Sequence, residues 1–79
     1  MKYVYILQNV DDGDKFYTGV TDDLRARLEK HNSGGVPHTA KFKPRRLKTY
    51  LAFSDPEEAV ALEQYLKSAA GRAFAKKRL

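Results

Sequence analysis

The 79-residue chain contains no cysteine and no tryptophan, one methionine, three prolines and five glycines. Without cysteine, a disulfide framework and a thiolate metal site are both excluded, and any site must be built from oxygen, nitrogen and aromatic groups. The longest apolar stretch near the N-terminus, Tyr3 to Leu7, ends at Gln8 and Asn9. That is far short of the ~20 residues a spanning helix requires, and no small-residue cleavage site follows, so a soluble cytoplasmic protein is expected. Internal repeats, low-complexity tracts and linker-like stretches are also missing, which leaves one domain over residues 1–79. A domain of this size buries only about 60–65% of the surface its unfolded chain exposes, so its stability should be modest.

Charge is what the chain has in excess. Fifteen Lys and Arg against ten Asp and Glu give a net charge of +5, and the surplus is uneven. Residues 1–40 carry five basic and six acidic side chains, whereas residues 41–79 carry ten basic and four acidic. A clustered positive surface attracts polyanions and makes their binding salt-dependent, so nucleic acid is the leading partner class; a solvated surface kept soluble by lysine is the plain alternative.

The β-branched and aromatic run Tyr3–Leu7 is apolar in both alternating directions, as in a strand covered on both faces. The Asp11-Asp12-Gly13-Asp14 cluster predicts a turn, and Phe16–Val20 a second strand of an antiparallel hairpin. Thr21 ahead of Asp22 and Asp23 predicts an N-cap with acids in the first turn, opening a helix from about Asp22 to Asn32. Gly34 to Arg46 has the composition of a loop. Leu47–Phe53 alternates as a third strand whose apolar face carries Leu47, Thr49, Leu51 and Phe53. Ser54-Asp55-Pro56-Glu57 predicts a capping box and a helix from about Asp55 to Ser68, ended by Gly71, with a short basic helix over Arg72–Arg78. The expected class is α+β: a small three-stranded antiparallel sheet flanked by helices in the order β-β-α-β-α-α.

Three features break the local rules. On the second helix Ala59, Leu62, Leu66, Ala69 and Ala70 form one apolar arc, and Glu63 falls inside it. A carboxylate there must be paired, hydrogen-bonded or metal-bound, or else lie at the rim and reach water or a lysine. On the first helix His31 falls between the directions of Leu24 and Leu28, with Arg27 four residues earlier as its neighbour. That pair suits a phosphate contact and a proton transfer, or equally a snorkelling arginine and a histidine favoured by the helix C-terminus. Finally, Tyr5 and Tyr17 lie on the two hairpin strands, laterally close. Together these groups cover the needs of phosphodiester hydrolysis: a base for water, donors to phosphate, and a carboxylate for a hard cation.

Tyr3-Val4-Tyr5, eleven intervening residues, Tyr17-Thr18-Gly19, a helix with Arg27 and a later helix with Glu63 resemble the GIY-YIG nuclease family over essentially the whole chain. The segments Leu24–Gly34 and Ala61–Lys67 are similar to those of its small stand-alone bacterial members. The resemblance implies that Tyr17 is the general base toward water, with Tyr5 its partner on the first strand. Arg27 then steadies the scissile phosphate, His31 assists proton transfer, and Glu63 ligates a single weakly bound Mg²⁺ or Mn²⁺. DNA is the implied substrate, cut to 5′-phosphate and 3′-hydroxyl ends, in repair or processing. The chain departs from the family at Tyr3-Val4 in place of Gly-Ile, at Thr18 in place of isoleucine, and at Val20, where excision-repair relatives carry lysine.

A free tyrosine titrates near ~10, so a base role requires cations and donors that favour the phenolate. The basic residues Lys41, Lys43, Arg45, Arg46 and Lys48 around the loop, Lys67 and Arg72 on the helices, and Lys76, Lys77 and Arg78 in the tail are the candidates for binding DNA. They also support the alternative of a nucleic-acid-binding module with weak catalysis. The small size favours single-stranded or distorted DNA, and specificity must come from the loop, the tail or a partner protein. One site cuts one strand, so a monomer or weak dimer is expected.

Overall fold

The computed structural model describes residues 1–11, 13, 15–33 and 45–79. The strands are β1 (Lys2–Asn9), β2 (Phe16–Thr21) and β3 (Arg45–Phe53); the helices are α1 (Leu24–Asn32), α2 (Pro56–Lys67) and α3 (Ala69–Arg78). They follow the expected β-β-α-β-α-α order. The sheet runs β2-β1-β3, both pairings antiparallel, so the doubly apolar strand β1 is central. Val4, Tyr5, Ile6 and Leu7 are all buried, as the lack of alternation in Tyr3–Leu7 requires.

One face of the sheet carries the apolar core. Val4 and Ile6 pack there against Ala59 and Leu66 of α2, with Val20, Phe53, Leu62, Ala75 and Leu79 around them. Each fully buried large aliphatic contributes about 1.5–3 kcal/mol. The opposite face, with Tyr5 at its centre, receives α1, whose buried residue His31 bonds to Tyr5. On β3 residues 47, 49, 51 and 53 are half-buried and residues 46, 48, 50 and 52 exposed, the alternation expected of an edge strand. Lys48 sits at a shift in register between the pairs Ile6–Thr49 and Leu7–Leu47.

Several boundaries differ from those expected. Thr21 does not cap α1: it ends β2, and its hydroxyl accepts from Asp23 N at 3.2 Å. Asp23 is the cap, accepting from Ala26 N at 3.1 Å, so neither Asp22 nor Asp23 lies in the first helical turn. Likewise Asp55 rather than Ser54 caps α2, accepting from Glu57 N at 2.9 Å. In both cases a hydroxyl and a carboxylate stand within two residues of each other, and the one nearer the helix takes the cap.

The largest correction concerns the end of α2. The helix stops at Lys67, one residue from the expected end at Ser68, but Gly71 is not what breaks the pattern: Ser68 turns the chain and caps α3 through its hydroxyl, which accepts from Gly71 N at 3.1 Å. Ala69 and Ala70 therefore belong to α3, are exposed, and do not extend the α2 arc. Gly71 is buried inside α3, where a Cβ would lie 1.8 Å from the Tyr65 carbonyl oxygen. It lets the two helices meet rather than ending one. Arg45 and Arg46 lie in β3, not in the loop. Lys41 and Lys43, with the rest of 34–44, fall outside the described residues.

Candidate active site

The site begins with Tyr5 at the centre of β1, a side chain only 2% exposed. Its cross-strand neighbour on β2 is Gly19, and a Cβ at that position would stand 2.3 Å from the Tyr5 hydroxyl. The glycine is thus the space through which the Tyr5 ring passes. Its hydroxyl meets Nε2 of His31 at 3.0 Å, with His31 fully buried in the last turn of α1. Tyr17 pairs with Leu7, one step diagonal to Tyr5 on the same face, and its ring lies 6.3 Å from that of Tyr5. The Tyr17 and His31 rings are closer, 4.7 Å between centroids at 59°. Two tyrosines and a histidine from three elements are therefore in one cluster.

The charged groups reach this cluster from both sides. Arg27, half-buried on α1 one turn before His31, acts on the Tyr5 hydroxyl electrostatically, as does Glu63 of α2. Burial, the neighbouring Tyr17 and the Glu63 carboxylate raise the Tyr5 pKa; Arg27 opposes them, and the result is a phenol pushed up to about 12. Tyr5 therefore keeps its proton throughout the neutral range.

Glu63 has only 14% of its side chain exposed and is held by Lys67 at 2.6 Å, one turn later on the same helix. Of the two environments open to Glu63 from its helical position, the half-buried rim with a lysine partner is the one adopted. The same Lys67 Nζ is 6.0 Å from the Tyr17 ring centroid, so α2 joins the cluster across the β2 edge.

Among the described residues no group of three or more His, Asp or Glu side chains converges as a metal cage. The donor set is one hard carboxylate, Glu63. Its chemistry fits a Mg²⁺ or Mn²⁺ ion that takes its remaining ligands from water and a phosphate. Val20 packs against the apolar core, so this position brings no cation to the site.

The expected DNA-binding residues separate into groups. Lys67 and Arg72 line a cleft of about 660 Å³ beside Tyr17, together with Lys48 and Lys76. Arg46 is instead held by Gln8, whose Oε1 accepts from its Nε at 3.2 Å and its Nη2 at 2.8 Å. The backbone of Arg45 lies opposite that of Asn9 in the register of β3 on β1, and Lys77 and Arg78 are exposed on α3 away from the cleft lining. Two further lining residues, Lys15 and Phe16, carried no signal in the sequence, since only the register reveals which way an edge-strand residue points.

Comparison with known proteins bears on this geometry directly. Residues 1–78 match the family model described as the GIY-YIG catalytic domain. The chain belongs to the GIY-YIG family. Its GIY-YIG relatives include a UPF0213 protein of Lacticaseibacillus paracasei, 41% identical over 66 residues that cover 82% of this chain and 72% of the relative. A UPF0213 protein of Cupriavidus necator is 38% identical over 76 residues, 91% of this chain and 80% of that one. A solution structure of a UPF0213 protein from Bacillus halodurans is similar over 96% of this chain and 81% of its own, at 40% identity and a TM-score of 0.57. Membership places the chain in a nuclease superfamily. No helix among the described residues is long and apolar enough to cross a membrane.

Proposed function

We propose that the chain is a metal-dependent DNA endonuclease acting on single-stranded or distorted DNA in repair or processing. The observation that carries this is the clustering of Tyr5, Tyr17 and His31, with Lys67, the ion-pair partner of Glu63, reaching Tyr17 from α2. Tyr5, with its proton held up to about pH 12, serves as hydrogen-bond partner to His31. Tyr17, half-buried and lining the open cleft, is the phenol that water can reach.

In this reading Tyr17 first yields its own proton, for which His31 is the titratable neighbour, and its phenolate then takes a proton from the attacking water. The new bond forms between the water oxygen and phosphorus; the bond from phosphorus to O3′ breaks. The leaving 3′-oxygen takes a proton from solvent water, giving a 5′-phosphate and a 3′-hydroxyl. Arg27 offsets the charge gathering on the phosphate oxygens. Glu63 would hold a Mg²⁺ or Mn²⁺ ion in place of its Lys67 partner. When bound, that ion supplies further neutralisation of the phosphate charge. The partner is DNA, joined by a specificity protein in a cytoplasmic setting, with the chain a monomer or weak dimer.

The Glu63–Lys67 pair also favours a second reading, a nucleic-acid-binding module with weak catalysis, because the carboxylate already has a cation. The two are separated by incubating single-stranded, duplex and branched DNA with Mg²⁺ or Mn²⁺, comparing the wild type with Glu63→Ala, Arg27→Ala and Tyr17→Phe. Cutting by the wild type that vanishes in the variants supports the endonuclease. Cutting that survives all three sinks the site assignment, and salt-sensitive binding without turnover establishes the second reading.

A further inference from the structure

The cleft beside Tyr17 lies on the apolar-core side of the sheet, with Ile6 and Thr18 from the strands and Leu66 and Ala75 from α2 and α3 in its lining. Every charged side chain in its lining among the described residues is cationic: Lys15, Lys48, Lys67, Arg72 and Lys76. Lys67 is shared with Glu63, and Lys48 reaches the Leu79 carbonyl oxygen. The side chains of Lys15, Arg72 and Lys76 make no hydrogen bond or ion pair with any described residue. Three cations without a partner among the described residues, facing one hollow, hold a polyanion by charge complementarity.

The same rim carries an aromatic ring that packing does not explain. Phe16 is 48% exposed on β2, one residue from Tyr17, and Lys48 Nζ lies 5.9 Å from its ring centroid. An exposed aromatic ring beside unpaired cations is the arrangement that binds single strands, where bases stack on the ring and cations follow the backbone. In a duplex the bases are already stacked on one another and offer Phe16 no free face. A volume of about 660 Å³ is within the range of small-ligand sites, about 300–1,000 Å³, and suits a short stretch of strand rather than a duplex.

We infer that this cleft seats the single-stranded DNA adjoining the phosphate presented to Tyr17, with one base stacked on Phe16 and the backbone held by Lys15, Arg72 and Lys76. The inference rests on the endonuclease reading for the orientation of the strand toward Tyr17, but the binding itself does not require cutting.

The test measures binding of a fluorescent oligodeoxythymidine in EDTA, where metal-dependent cleavage is absent, against an abasic strand of equal length, a duplex and oligouridine. Phe16→Ala should weaken binding of the thymidine strand about tenfold and leave the abasic strand unchanged, because only the former has bases to stack. Phe16→Trp should restore binding and report it by quenching of its fluorescence, which also shows that the ring position tolerates substitution. Replacing Lys15, Arg72 and Lys76 together by alanine should weaken both strands and lower the salt slope by about 2, at roughly 0.7 per phosphate contact.

Equal losses on the thymidine and abasic strands, or none on either, would overturn the role of Phe16. Duplex bound as tightly as single strand, or oligouridine bound more tightly through the same residues, overturns the choice of single-stranded DNA. Groove binding of this pattern without cutting in Mg²⁺ or Mn²⁺ defeats the endonuclease reading alone. Cutting that proceeds with all these variants binding normally defeats the cleft assignment alone.

Discussion

The two faces of the sheet are made by the same central strand, yet they obey different rules. On one face Val4 and Ile6 meet Ala59 and Leu66, a contact defined by volume, in which one aliphatic side chain does much the same work as another. On the other, Tyr5, Tyr17 and His31 meet around Gly19, where individual atoms matter: a hydroxyl 3.0 Å from a ring nitrogen, and a missing Cβ that leaves room for it. Damage to the first face should therefore cost stability, and damage to the second should cost chemistry.

The sharpest separation is expected from Tyr17→Phe. Removing one half-buried hydroxyl should lower cleavage by about 10²–10⁴-fold, the usual worth of a general base, while leaving the midpoint of thermal unfolding within a few degrees of wild type. A variant that unfolds early and cuts normally would reverse the assignment of the faces. On the apolar face Val4→Ala should do the opposite, destabilising by about 1.5–3 kcal/mol in urea unfolding while the folded fraction keeps its turnover.

Alkaline titration probes the Tyr5 side more gently. Its proton is held to about 12 in the folded chain and is lost near ~10 in the unfolded one, so the unfolded state binds fewer protons above that value. Stability is full below about pH 10 and declines through about pH 12, by up to roughly 2–3 kcal/mol at 1.36 kcal/mol per unit. Tyr5→Phe should flatten that decline; an unchanged alkaline limb would assign it to other groups. Gly19→Ala should displace the Tyr5 ring at a cost of about 1–3 kcal/mol, with a disproportionate loss of cleavage, seen by comparing unfolding with turnover. Smallest of all, Ser68→Ala removes the cap between α2 and α3 for about 1 kcal/mol and should leave cleavage unaltered, since Ser68 touches neither face's chemistry.

Most of the fold was legible because its signals are local. The unbroken apolar run of Tyr3–Leu7 announced a strand covered twice, and the alternation after Leu47 announced a strand with one apolar face. The errors fell where two residues of similar chemistry compete for one role. Thr21 and Asp23 are both cap formers, and only the length of β2 decides between them. Ala69 and Ala70 were misassigned because they continue the α2 arc by spacing, although the backbone has already turned at Ser68. Gly71 suggested an ending, whereas its cause is the Tyr65 carbonyl pressed against it from another helix.

The candidate site divides in the same way. Sequence spacing alone determined that Arg27 and His31 are neighbours, that Glu63 lies on the inward side of its helix, and that the tyrosines stand on adjoining strands, because helical and strand periods are fixed by the backbone. What Glu63 meets, that burial holds the proton on Tyr5, and that Phe16 shares one cleft with three cations unpaired among the described residues were decided only by tertiary structure. Burial and partnership depend on elements far apart in the chain, and no local pattern records them.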